Sequence, residues 1–169
     1  GLTPLNMMAS KRFTNLLMKL PLPKYLIEGL FPLPQIDIPE FSSHIVFIGK
    51  DSRALSLSVM ARSVGLPYVS IVFDPTEARQ RQLKGEMVVY GDATNEPILQ
   101  KASVASAKIV VISVGNLITC MAILEQVRLL NHGAHVLVRT RKVEDLEELY
   151  KQGADEVIPE EFETAIELF

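Results

Sequence analysis

From His44 onward, short apolar runs rich in valine and isoleucine alternate with segments whose apolar residues recur at helical spacing. Such runs are typical of strands buried on both faces of a parallel sheet, with helices as the crossover connections. Gly65, Gly133 and Gly153 each follow a predicted helix, where a left-handed cap favours glycine. The predicted strands are Ile45–Ile48, Tyr68–Phe73, Met87–Tyr90, Ile109–Val114, His135–Arg139 and Glu156–Ile158. The predicted helices are Ser52–Val64, Thr76–Leu83, Pro97–Ala102, Leu117–Leu130 and Val143–Gln152. This order predicts an α/β fold with a doubly wound parallel sheet of about six strands and right-handed crossovers.

The first 43 residues follow a different pattern, because six of the ten prolines fall within residues 4–39. Proline interrupts helices and cannot donate to a sheet ladder, so this proline-rich leader is predicted to lie outside the regular core. Within it, Ser10–Leu20 is predicted to form a basic amphipathic helix, which either lies on a membrane surface or packs against protein. Leu22–Pro39 is predicted to be a semi-rigid linker. The predicted regions are therefore 1–43 and 44–169.

Composition limits the partners of the chain. A net charge of −3 over 169 residues gives no general attraction to nucleic acid. The single cysteine, Cys120, cannot form an internal disulfide, and its apolar helical neighbours predict a buried, unreactive thiol of a reducing compartment. No apolar run reaches the roughly 18 residues that a membrane-spanning helix needs, and the first residues lack the layout of a signal peptide.

No catalytic or metal site is predicted. His44 and His135 open strands and His132 lies in a turn, positions where structural roles are expected. The Tyr-x-x-x-Lys pair of a small dehydrogenase does not occur in the sequence. The acidic residues of 144–148 lie along one predicted helix, which indicates a solvated face. A small dehydrogenase is therefore the weakest of the candidate functions.

The turn after the first predicted strand is an altered form of a phosphate-binding turn. A Rossmann-like dinucleotide-binding unit carries G-x-G-x-x-G between its first strand and helix. Here the turn reads Gly49-Lys50-Asp51-Ser52-Arg53-Ala54, so only the first glycine remains. Asp51 stands where a pyrophosphate would approach the backbone, and its carboxylate would repel that anion, an effect that Lys50 and Arg53 offset in part. Alternatively, Asp51 simply caps the helix and the phosphate site is lost.

Two aspartates follow the next two predicted strands. Asp74 closes the second strand, at the spacing where a carboxylate accepts the ribose hydroxyls of NAD or adenosine. Gly91-Asp92-Ala93 follows the third strand: the glycine permits close approach of a ligand, and Asp92 can accept a hydrogen bond from the exocyclic amine of adenine. Each aspartate has an alternative role as a turn or helix cap.

The ends of the fourth and fifth predicted strands offer small and basic residues. Ser113 and Gly115 belong to a small-residue turn that leaves room for a ligand. Arg139 and Arg141 end the fifth strand and are candidates to meet a phosphate or another anionic effector. The alternative is that they are ordinary surface arginines.

From His44 onward, these motifs together resemble the RCK or TrkA-N type of regulatory nucleotide-binding domain found in potassium transport systems. The resemblance rests on Gly49, Asp74, Gly91-Asp92-Ala93, Ser113-Val114-Gly115 and Gly153-Ala154-Asp155-Glu156-Val157-Ile158-Pro159. It implies regulation rather than catalysis: a dimer senses AMP or NAD(H) and conveys the binding to a membrane protein. In this family the helix that begins near Phe162 crosses to the partner subunit, so a homodimer through 162–169 is implied.

The leader adds a second resemblance. Gly1-Leu2-Thr3-Pro4-Leu5 is similar to the end of the last membrane helix of Kef-type monovalent cation:proton antiporters, in which an RCK-like domain follows on the cytoplasmic side. This implies a regulatory domain of a potassium or sodium ion:proton antiporter, joined to a membrane transport domain at the cytoplasmic face of the membrane. The alternative is a vestigial domain of the same transporter that binds no nucleotide and acts only in dimerisation.

Overall fold

The computed structural model describes residues 38–50 and 59–162, all within the second of two units into which the chain divides, Gln35–Phe169. The strands are β1 (Ile45–Gly49), β2 (Tyr68–Val72), β3 (Val88–Tyr90), β4 (Ile109–Ser113), β5 (His135–Thr140) and β6 (Glu156–Pro159). The helices are α1 (described over 59–63), α2 (Pro75–Leu83), α3 (Glu96–Lys101), α4 (Leu117–Leu130) and α5 (Leu146–Gln152), with a further helix that begins at Glu160.

All six strands form one parallel sheet in the order β3-β2-β1-β4-β5-β6. The predicted doubly wound, Rossmann-like architecture is thereby confirmed. The strand order reverses direction between β1 and β4, which are paired so that Gly49 lies opposite Ser113. In sheets of this kind ligands bind beyond the carboxyl ends of the strands at such a reversal, so this edge is where a site is expected.

The core lies on both faces of the two central strands. Val46 in β1 and Val110 and Ile112 in β4 are fully buried, as expected for strands covered by helices on each side. The helices contribute further fully or almost fully buried side chains, among them Leu99, Ile123, Leu124 and Leu149. Burial of this kind stabilises by about 25 cal/mol per Å² of apolar surface.

Two local predictions were wrong. The segment predicted as one helix, Val143–Gln152, begins as a 3-10 turn over Val143–Asp145 and becomes α-helical only at Leu146. Gly133 is not a left-handed cap, because Asn131 organises the end of α4: its side-chain oxygen accepts from the amides of Gly133 and Ala134. Gly65 and Gly153, in contrast, have the left-handed backbone that was predicted.

The Gly-Ala-Asp segment before β6 is held by Arg128 of α4. The Arg128 guanidinium donates to the carbonyls of Gly153 and Ala134, each at 2.7 Å, and to Asp155 Oδ2 at 2.7 Å. The same Asp155 oxygen accepts from the amide of Val136 at 2.7 Å. One arginine thus joins α4 to the starts of β5 and β6.

Folding stability is expected to fall in acid because of Asp155. Burial raises the pKa of this carboxyl, but the Val136 amide, Arg128 and the charge of His135 together hold the pKa below its usual range. A carboxylate with a depressed pKa stabilises the fold above its unfolded pKa, near 4, and that stability is lost as the pH falls through the lower folded value. Urea unfolding from pH 5 to pH 2.5 measures this loss. Asp155→Asn should reduce the dependence of the unfolding free energy on pH over this range. Glu147→Gln, which removes a carboxylate from the exposed pair with Lys151, is the control and should leave that dependence unchanged.

His44 and Cys120 have structural roles in the core, as predicted. His44 is fully buried, and its Nε2 lies 2.8 Å from the carbonyl of Ala102. Cys120 is free and buried in α4, and burial together with the charge of Asp145 raises its thiol pKa to about 12. A thiol with so high a pKa carries almost no thiolate at neutral pH and is unreactive.

Three predictions fall wholly or mostly outside the described residues, which begin at residue 38. They are the amphipathic helix over Ser10–Leu20, the linker over Leu22–Pro39 and the resemblance carried by residues 1–5. Within residues 38–50 and 59–162, no helix combines the length and apolar character needed to span a bilayer.

Candidate functional site

The carboxyl ends of four neighbouring strands bring most of the predicted site residues together. Gly49 ends β1, Asp74 follows β2, Gly91 follows β3 and Ser113 ends β4. Because these strands are adjacent in the order β3-β2-β1-β4, the four positions lie side by side at the carboxyl ends of the strands. This region is called the carboxyl edge below. The edge therefore carries acidic acceptors on one side of the reversal point and a small-residue turn on the other.

Gly49 is required by the packing of the sheet itself. Its φ is +109°, and a Cβ built on it would lie 1.9 Å from the carbonyl oxygen of Ser113. The backbones of β1 and β4 therefore approach more closely here than any side chain permits. Gly49, the remaining glycine of the altered phosphate turn, thus has a structural role that needs no ligand.

Asp74 caps helix α2. Its Oδ1 accepts from the amides of Thr76 at 2.8 Å and Glu77 at 3.1 Å, which are free donors in the first turn of the helix. The side chain is exposed at the carboxyl end of β2. The cap that was the alternative prediction is present, and it does not exclude the predicted contact with ribose hydroxyls.

The Gly91-Asp92-Ala93 segment forms a compact turn. Asp92 Oδ1 accepts from the amide of Thr94 at 2.9 Å and from its hydroxyl at 2.7 Å. A Cβ on Gly91 would lie 2.5 Å from Cδ1 of Ile98, so the glycine admits a side chain of α3. Ala93 is buried in the core. Asp92 remains half-exposed and so can still accept from a base at this edge.

The turn after β4 lies beneath an arginine of the next strand. Ser113 is half-buried, Gly115 is exposed, and Asn116 caps α4 by accepting from the amides of Ile118 and Thr119. A Cβ on Gly115 would lie 3.1 Å from Nη2 and 3.3 Å from Cζ of Arg141. The guanidinium therefore lies against the glycine backbone. Arg139 pairs with Ser113 in the sheet and is buried.

The rest of the altered phosphate turn is only partly described. Lys50 is exposed directly after β1. Asp51, Ser52 and Arg53 lie outside the described residues, so their predicted roles toward a phosphate stay predictions.

Three large apolar side chains at the same edge were not singled out from the sequence. Phe73 follows β2 and is 73% exposed, Tyr90 ends β3 and is 45% exposed, and Ile118 in the first turn of α4 is 79% exposed. Each comes at the end of an apolar run or at the start of an apolar helix, so sequence pattern assigned them to the core. Apolar and aromatic surface beside carboxylate acceptors suits a flat heteroaromatic ring.

The chemistry available at this edge is that of binding. It offers two carboxylates, a small-residue turn, a guanidinium and exposed aromatic rings. In the part of the chain that the structure describes, no group of three His, Cys, Asp or Glu side chains is placed to hold a metal ion.

A shallow cavity of about 290 Å³ lies at the opposite edge of the sheet. It is lined at the amino ends of β2 and β3 by Phe41, Leu66, Tyr68 and Met87, with Arg62 donating to the Tyr68 hydroxyl at 3.1 Å. Its volume is at the low end of those that hold small ligands. None of the predicted site residues lines it.

Comparisons with known proteins agree with the motifs. The family model of the TrkA-N domain matches residues 45–160. The putative K(+) efflux antiporter KefB of Alkalimonas amylolytica is 28% identical over 137 residues, which are 81% of this chain and 21% of that protein. The chain thus spans about a fifth of the length of this relative.

Solved structures share the fold. The TrkA-N domain of the inner membrane protein ybaL from Escherichia coli has a TM-score of 0.72 at 22% identity, over 76% of this chain and 96% of that one. The Kef C-terminal domain of Shewanella denitrificans in its AMP-bound form has a TM-score of 0.63 at 18% identity, over 74% and 76%. The GsuK channel bound to NAD has a TM-score of 0.67 at 21% identity, over 94% and 28%.

Proposed function

Because the chain belongs to the TrkA-N domain family, we propose that it is the cytosolic regulatory domain of a potassium or sodium ion:proton antiporter and senses an adenine nucleotide. TrkA-N domains are regulatory ligand-binding domains and not enzymes, in keeping with the binding chemistry of the carboxyl edge. The relative named as a K(+) efflux antiporter supports the transporter context.

The observation that carries the proposal is the alignment of Gly49, Asp74 and Gly91-Asp92 on adjacent strand ends. A nucleotide laid across this edge would meet Gly49 with its phosphate, Asp74 with its ribose and Asp92 with its base. Phe73 and Tyr90 border the base end of this path. An AMP-bound and an NAD-bound structure of the same fold support nucleotides as the ligand class.

AMP fits this chain better than NAD(H). The Gly49 turn has Asp51 where the second glycine of a dinucleotide site is expected, and its carboxylate would repel a pyrophosphate. AMP has a single phosphate, so less negative charge has to be placed beside Asp51 in the altered turn.

Regulation requires that the ligand bind one arrangement of the protein more tightly than another. We place the domain at the cytoplasmic face of the membrane, attached to the transport domain of the same polypeptide and paired with a second copy through its C-terminal helix. Phe162, 56% exposed in the helix that begins at Glu160, is available for such a pairing.

A vestigial domain that only dimerises is the second candidate. The observation that favours it is that the described glycines and aspartates of the site already have structural roles. Gly49 and Gly91 are required by packing, and Asp74 and Asp92 hold backbone amides. This candidate predicts that no adenine nucleotide binds.

Asp74→Asn separates the two candidates. Asparagine caps a helix as well as aspartate does, so the melting temperature should change little. If the carboxylate also accepts ribose hydroxyls, the loss of its charge should weaken AMP binding about 10-fold to 100-fold. Calorimetric titration of wild-type and variant protein with AMP, ADP, NAD and NADH measures this. Glu147→Gln, which removes an exposed carboxylate from α5, is the matched control and should bind AMP as wild type does.

Wild-type protein that is folded and binds none of the four nucleotides would contradict sensing and support the vestigial candidate. Equal AMP affinity in wild type and Asp74→Asn would limit Asp74 to its role as a cap.

A further inference from the structure

Among the arginines of the described residues, Arg141 differs in having no polar partner there. Residues 38–50 and 59–162 contain six arginines, and five of them make a hydrogen bond or another polar interaction. Arg141 makes no hydrogen bond or ion pair with any residue in those ranges. Its side chain is nevertheless not extended into solvent, because the guanidinium lies against the backbone of Gly115. Its donors are thus held at the protein surface and remain available.

The position of Arg141 follows from the sheet register. Ser113 of β4 pairs with Arg139 of β5, so Gly115 and Arg141 each lie two residues beyond a paired position. On its other side Ser113 pairs with Gly49 of β1. Neighbouring strands are about 4.8 Å apart. The turn that Arg141 contacts therefore follows a strand that lies directly beside β1.

An anion at the turn after β4 would depend on the side chain of Arg141. Asn116 already accepts from the amides of Ile118 and Thr119, so these two amides at the start of α4 are not free to bind it. The guanidinium supplies several N–H groups in a plane, a geometry that matches two oxygens of one phosphate. Glycine at position 115 leaves the guanidinium the most room, because a Cβ there would lie 3.1 Å from its Nη2 atom.

We propose that Arg141 donates to the phosphate of a nucleotide bound at the carboxyl ends of the strands. This inference rests on the proposed nucleotide-sensing function. It assigns to the fifth strand a phosphate contact that a Rossmann-like glycine turn ordinarily makes at the first.

The test compares a ligand with a phosphate and one without. AMP and adenosine are titrated by calorimetry, at one fixed salt concentration, into wild type, Arg141→Gln, Arg141→Lys and Lys142→Gln. Arg141→Gln should weaken AMP binding about 10-fold to 100-fold and change adenosine binding less than about 2-fold. Arg141→Lys keeps the charge but not the planar fork and should be intermediate. Lys142→Gln removes an exposed charge one residue away and should cost less than about 3-fold.

Each outcome decides the inference. If Arg141→Gln binds AMP as wild type does, Arg141 is not a phosphate contact, whereas the proposed function stands. If the variant loses AMP and adenosine equally, the damage is to the pocket and the inference is wrong. If wild type binds neither ligand, the proposed function fails and the inference fails with it. Gly115→Ala checks the geometry independently: it should keep the melting temperature and weaken AMP but not adenosine.

Discussion

Replacing Gly49 by alanine is expected to destabilise the domain by about 3–5 kcal/mol. The new Cβ would lie 1.9 Å from the carbonyl oxygen of Ser113 and 2.7 Å from its carbonyl carbon. Both are backbone atoms of a central strand, so they cannot move without breaking the β1–β4 pairing. The φ of +109° adds strain for any residue other than glycine. Urea unfolding, followed by circular dichroism, measures the change.

Gly65→Ala is the matched control for this substitution. Gly65 also has a positive φ, +71°, but a Cβ there would meet nothing within 4 Å. Gly65→Ala should therefore lower the free energy of unfolding only through the strain of a left-handed backbone, by about 1–2 kcal/mol. Equal effects of the two substitutions would show that the close approach of β1 and β4 is not what requires glycine at position 49.

Arg128→Met is expected to cost about 3–4 kcal/mol. Methionine retains much of the aliphatic length but leaves the carbonyls of Gly153 and Ala134 without their donor, and it removes the ion pair with Asp155. These groups connect α4 to the starts of two strands, so their loss should loosen β5 and β6 together. The change is measured as a shift of the urea midpoint.

Arg62→Met provides the comparison for Arg128. Arg62 is exposed and, within the described part of the chain, donates one hydrogen bond, to the Tyr68 hydroxyl. Its loss should cost less than about 1 kcal/mol. If Arg128→Met were as mild as Arg62→Met, the Gly-Ala-Asp segment would not depend on the arginine for its position.

The fold could be predicted because one physical signal dominates it. Strands that are buried on both faces must be apolar throughout, and the short runs of valine and isoleucine around Val46, Val69 and Val110 show this directly. The errors arose where tertiary contacts overrode local pattern. Asn131, and not Gly133, ends helix α4. Its side-chain amide donates to the carbonyls of Val104 and Ala107, which lie 24 or more residues away in the chain.

The strand ends that carry the candidate site could be predicted from the sequence, but the residues there could not be given single roles. Asp74 and Asp92 use a carboxylate oxygen for local amides, and the same kind of oxygen would serve ribose or adenine. Residue type and spacing therefore cannot separate a cap from a ligand contact. Arg128 was missed because its partners are joined only in three dimensions, and Phe73 because an apolar residue at a strand end has the same pattern as a core residue.

The central claim is that an adenine nucleotide lies across the carboxyl ends of β1, β2 and β3. Amide chemical shifts of ¹⁵N-labelled protein, followed during titration with AMP, test it most directly. The account predicts that shifts will concentrate at Gly49, Asp74, Gly91 and Gly115, and that Leu66 and Glu86 at the opposite edge will stay unchanged. An unshifted spectrum, or shifts confined to the cavity at the amino ends of the strands, would contradict it.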